Sequence, residues 1–125
     1  MNLPEITQAM FAAKKEIDEA FETYRQAIIE DAEADRAEKL AMSSSYITMR
    51  STLGAKPPVA EIEAHVDQAT ADVQHRARLA EGLKRSASQA VESKRQWLSA
   101  LQSLASLTKS EAQLAKWEPS EVTVA

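Results

Sequence analysis

From Val59 to Thr108 the chain carries two apolar series at heptad spacing. One is Val59, Val66, Val73, Ala80, Ala87, Lys94, Leu101 and Thr108; the other is Ile62, Ala69, Arg76, Leu83, Ala90, Trp97 and Leu104. Steps of three and four residues keep both series on one face of an α-helix. No proline falls between Pro58 and Pro119, and Gly82 is the only glycine there, so the pattern predicts a helix over about 59–110. An earlier helix is predicted over about 3–53, with Asn2 as its cap and Pro4 and Glu5 in its first turn. Its seam is Ile6, Ala13, Ala20, Ala27, Ala34, Ala41 and Thr48. Leu3, Met10, Ile17 and Tyr24 widen the stripe early, and Ile28, Met42 and Met49 widen it on the other side later. That drift is what a period of 3.6 does to a heptad frame.

Between the two patterns stands the one strong punctuation, residues 54–58, with Gly54, Pro57 and Pro58. A helix of about 50 residues is ~75 Å long and cannot bury its seam alone. The fold class is therefore all-α, a long antiparallel helical hairpin of coiled-coil type. A four-helix bundle is the variant, reached through oligomerisation or through breaks at Ser43–Ser45 or Gly82. The hairpin is read as one domain over 1–118, with a loose tail at 119–125.

Charge supports the same register. Residues 1–40 hold ten acids and five bases, whereas 75–110 hold seven bases and two acids. Pairing the helices about position 55 sets 76–95 against 15–34, basic block against acidic block. It also sets Lys39 and Arg50 across from Glu61, Glu63, Asp67 and Asp72. Arg76 and Lys94, which interrupt the apolar series, are expected to snorkel or to pair with acids of the first helix.

Composition narrows the chemistry. The 125 residues include no cysteine, which excludes disulfides and thiolate metal sites. His65 and His75 are ten residues apart, off any ligand spacing, so no metal or other cofactor is expected. No nucleophile elbow, phosphate loop or carboxylate pocket is present, and the chain reads as a non-enzyme. The N-terminus lacks a signal-peptide pattern and no run is apolar enough to span a bilayer, so a cytoplasmic protein without a membrane partner is expected. Alanine supplies much of the hydrophobic content, and the core it builds is thin. Self-association is therefore expected, through Phe11, Ile17, Phe21, Trp97, Leu98, Leu101, Leu104 and Leu107.

Arg36, Lys39, Arg50 and Lys56 gather around Tyr46 near the predicted hairpin tip, and Arg78 and Arg85 fall outside the apolar series. Outward cations of the basic stretch 76–95 are placed to track a nucleic-acid backbone. Tyr46 and Trp117 are the aromatics placed for contact with a ligand or partner, since Trp97 lies on the apolar series.

The segments Arg36-Ala-Glu-Lys39-Leu-Ala, Tyr46, Gly54, Ala71-Asp-Val-Gln and Gln96-Trp97-Leu98-Ser-Ala-Leu101 resemble the UvsY type of recombination mediator, small all-helical bacteriophage proteins that bind single-stranded DNA. The likeness covers about two thirds of the chain. It implies a DNA-binding basic segment, matched here by Arg36 and Lys39, and an oligomerising C-terminal helix. A recombinase or single-strand-binding protein would be a further partner, and the host cytoplasm the place of action. The alternative expectation is a structural or adaptor hairpin, in phage assembly or elsewhere, that binds protein only.

Overall fold

In the computed structural model, which describes residues 1–52 and 58–116, Asn2 caps the first helix as its side chain predicts. Its Oδ1 accepts the Glu5 N–H at 2.9 Å, and its carbonyl accepts the Ile6 N–H at 3.0 Å. Helix α1 then runs from Leu3 to Thr52. Helix α2 covers Val59–Ala69 and helix α3 covers Ala71–Lys116. The described residues contain no strand, and the fold class is all-α. Pro58 stands at the start of α2 with φ −59°, and its carbonyl accepts the N–H groups of Glu61 and Ile62. Gly54, Lys56, the rest of the predicted loop up to Pro57, Trp117 and the tail 119–125 lie outside the described residues.

Neither predicted break occurs. Helix α1 passes through Ser43–Ser45. The Thr48 and Thr52 hydroxyls each donate to the carbonyl four residues back, at 2.9 and 2.8 Å. Helix α3 passes through Gly82. The second helical stretch is divided at Thr70 instead, and it extends to Lys116 rather than ending near 110. Thr70 has φ −109° and ψ 11°. Its Oγ1 donates to the Val66 carbonyl at 2.7 Å and accepts from Gln74 Nε2 at 2.9 Å. A hydroxyl bonded back to the i−4 carbonyl bends a helix, and here the buried Thr70 side chain has both partners. Counted back in steps of seven, the line through Ala77 and Thr70 reaches Glu63, yet Glu63 is exposed and its neighbour Ile62 is buried at 3 % exposure.

The chain divides into two compact units, Met1–Glu22 with Gln89–Ala125, and Thr23–Ser88. In the first, Ile6, Ala13 and Ala20 of α1 pack with Val91 and Leu101 of α3, and all five are buried. Leu3, Met10, Ile17, Leu98 and Ala105 flank them, half-buried. The α1 and α3 segments run antiparallel: Leu3, Thr7 and Met10 share a groove with Ala105 and Lys109, and Glu16, later in α1, pairs with Lys94, earlier in α3. In the second unit, Ala27 and Ala34 of α1 meet Ile62 and Val66 of α2 and Ala77 and Ala87 of α3. This pair is also antiparallel, with Asp31 at Lys84 and Glu38 at Arg78. The pairing in each unit fits a helical hairpin.

One predicted seam line is displaced. The line Val66, Val73, Ala80, Ala87, Lys94, Leu101 and Thr108 does face inward, although Val59 at its start is 60 % exposed. Of the predicted companion series only Ile62 is buried; Ala69, Arg76, Leu83, Ala90, Trp97 and Leu104 are all exposed. The companion is Thr70, Ala77, Lys84, Val91, Leu98 and Ala105. Interhelical spacing depends on the side chains at the contact. Alanines at 27, 34, 77 and 87 let the helices approach closely, whereas Leu83 in the seam would hold them apart. The chosen line also brings Lys84 to Asp31 at 2.8 Å.

Candidate nucleic-acid interface

The cationic strip is built on α1 within the second unit. Arg36, Lys39, Tyr46 and Arg50 are separated by three, seven and four residues. That spacing keeps them on one side of a helix, spread over about 21 Å. The side is the outer one, because Ala34, Glu38 and Ala41 carry the seam. Arg36, Lys39 and Arg50 are exposed, and Tyr46 is 36 % exposed. Arg36 and Arg50 make no ion pair with a described residue. Lys39 is held at 2.9 Å by Asp35, one turn earlier. The hydrogen bond and charge of Asp35 raise the Lys39 pKa above the usual lysine value. Lys39 therefore pairs along its own helix and not across to α2.

The two α3 cations are each engaged. Arg78 Nη2 reaches Glu38 Oε1 at 3.0 Å and Nη1 reaches Oε2 at 3.3 Å, a two-point contact across forty residues of sequence. Glu38, the residue before Lys39, is largely buried, whereas the Arg78 side chain keeps 63 % of its surface in water. The Arg78–Glu38 contact thus places a second cation at the level of Lys39. Arg85 pairs with Glu81 at 2.8 Å on its own helix. Lys84, which faces the seam, pairs with Asp31, whose hydrogen bond and charge raise the Lys84 pKa. In the first unit Lys94 pairs with Glu16 at 3.4 Å, while Arg76, the other seam-interrupting cation, stays exposed with no ion pair among the described residues.

Tyr46 stands at the edge of an open groove of about 600 Å³. Met42, Ser43 and Ile47 line it from α1, and Glu63, Val66 and Asp67 line it from α2. The groove has apolar walls and two carboxylates, and the cations lie outside it on the strip. Spacing alone pointed to the strip; the groove is made jointly by α1 and α2 and has no local sequence signal.

The residues expected at a subunit contact divide between seam and surface, all within the first unit. Leu101 is 1 % exposed; it packs inside the chain, since it belongs to the seam line with the small companion residues. Ile17 and Leu98 are half-buried beside it. Phe11, Phe21, Trp97, Leu104 and Leu107 are exposed. Phe21 lies under the Arg95 guanidinium at 4.7 Å, and Phe11 borders a groove with Leu3, Met10 and Lys109. Trp97 is two residues beyond Arg95, about 200° round the helix, so Trp97 and Leu104 occupy the opposite flank from Phe21.

Among the described residues no group of three or more metal-ligating side chains is placed to hold an ion, and no helix is long and apolar enough to cross a membrane. Compared with known families, curated proteins and solved structures, the chain matches none.

Proposed function

We propose that the protein is a non-enzymatic, oligomeric binder of single-stranded DNA without sequence preference, acting in the host cytoplasm as an accessory to recombination. The observation that carries this reading is the exposed strip Arg36, Lys39, Tyr46 and Arg50, whose two arginines form no ion pair among the described residues. Phosphates lie along the strip, with Arg36 and Arg50 supplying free charge. Lys39, Arg78 and Arg85 contribute less, because each already neutralises an acid. A base turned over the strip's edge stacks on Tyr46, a contact worth ~1–3 kcal/mol. Glu63 and Asp67 then accept hydrogen bonds from base amino groups in the groove. One strip neutralises few phosphates, so a single subunit binds weakly and repetition of the strip in an oligomer supplies the affinity. The likeness to the UvsY type supports the mediator role and a recombinase or single-strand-binding protein as partner.

The test is fluorescence anisotropy of a labelled oligothymidine. The intact protein is expected to bind with log K falling ~0.7 per log salt for each phosphate neutralised. Replacing Arg36 and Arg50 by Ala should weaken binding and flatten that slope while leaving helicity unchanged. No binding at low salt would overturn the reading.

A second reading is a hairpin module that joins proteins only, in a structural or adaptor role. It is favoured by the exposed flank of α3 in the first unit, where Trp97 is 51 % and Leu107 58 % exposed. Self-association or partner capture that persists without any oligonucleotide binding would select it.

A further inference from the structure

The second unit carries an apolar groove that neither reading uses, on the flank of α3 that the displaced seam line leaves outside. Its floor is Ala34 and Ala37 of α1 with Ala80 of α3, and its wall is Leu79 and Leu83. Both leucines are 55 % exposed. The alanines leave the floor shallow enough for a leucine from outside to reach the helix backbones. Charge is divided along the groove. The antiparallel pairing sets Arg76 at one end, beside Ala37, and sets Glu30 and Glu33 at the other, beside Leu83. The cross-helix charges Arg78, Lys84 and Lys94 all find acids. Glu30, Glu33 and Arg76 line the same groove yet form no ion pair among the described residues.

We infer that this groove is a twofold contact with a second copy of the same chain. A groove basic at one end and acidic at the other is complementary to itself when the second copy is reversed. The rotation axis then crosses the helices near Leu79 and Ala80, midway between Arg76 and Leu83. Arg76 of each copy meets Glu30 and Glu33 of the other, and Leu79 and Leu83 of each copy fill the other's alanine floor. The result is a four-helix contact, isologous in type, so both ends form or neither does. The inference is independent of DNA binding, and its test involves no nucleic acid.

The experiment is sedimentation velocity of full-length variants from about 1 to 100 µM. Wild type is expected to self-associate with concentration. Arg76→Glu places acid against acid at both ends of the pair, and the double variant Glu30→Lys/Glu33→Lys places base against base. Each alone should weaken this association step by more than about tenfold, with circular dichroism at the wild-type level. Mixed in equal amounts the two variants should associate again, because every end of the mixed pair joins opposite charges. A purely structural role for these surface residues would not produce that rescue. The chain has no cysteine of its own, so Leu79→Cys gives a second readout: near the axis, it should form a disulfide-linked dimer under mild oxidation, whereas Phe11→Cys should not. A wild type that stays monomeric, variants that associate as wild type does, or a mixture that fails to re-associate would overturn the inference.

Discussion

Leu101→Ala tests the seam assignment directly. The Leu101 side chain is 1 % exposed, and among the described residues of its unit Ile6 is the other large side chain that is fully enclosed. Truncation to alanine removes three carbon atoms from that core. At about 0.8 kcal/mol per buried methylene-sized group the transfer loss is ~2.4 kcal/mol. A residual cavity adds to this in tightly closed cores, giving the ~2–5 kcal/mol range for such truncations. Here the seam is one layer thick with open flanks, so neighbouring side chains settle into the space and the expected loss is about 2–3 kcal/mol. Urea denaturation followed by helix ellipticity should show a lower midpoint with an unchanged slope. Leu107→Ala is the control, six residues along the same helix and 58 % exposed, and should cost less than ~1 kcal/mol. Measured at low micromolar concentration, equal losses for the two variants, or a Leu101→Ala loss under 1 kcal/mol, would refute the assignment of this face to the core.

Three further outcomes follow from local geometry. Thr70→Val keeps the shape but deletes the hydroxyl that bonds Val66 and Gln74; a loss of about 1 kcal/mol is expected by thermal or urea unfolding. Asn2→Ala removes the cap on the Glu5 N–H and should cost about 1 kcal/mol, with faster hydrogen exchange confined to the first turn of α1. The Lys84 pKa is raised by Asp31 in the folded chain, so its contribution to stability is full below the unfolded lysine value of about 10.4 and is lost as pH rises through the higher folded value. Stability measured against pH should therefore fall above about pH 10, and Lys84→Gln should make that fall shallower.

The helical content, the Asn2 cap and the alanine line of α1 were legible because each follows from local spacing or a side chain three residues away. The opposition of acidic and basic blocks was legible too, and Lys84–Asp31 and Lys94–Glu16 realise it. The cationic strip could be read from the spacing of Arg36, Lys39, Tyr46 and Arg50, and the i,i+4 partners of Lys39 and Arg85 stand in the sequence beside them. Three things were decided only by the tertiary structure. The companion seam line was ambiguous, because a line with Leu83, Trp97 and Leu104 is locally as apolar as one with Ala77, Val91 and Leu98. Close approach to an alanine surface and the fit of Lys84 to Asp31 selected the second, and both depend on what stands opposite. The division falls at Thr70, and on its N-terminal side Ile62, not Glu63, is the buried residue. The engagement of Arg78 by Glu38 joins residues forty positions apart, a relation that spacing along one helix cannot contain.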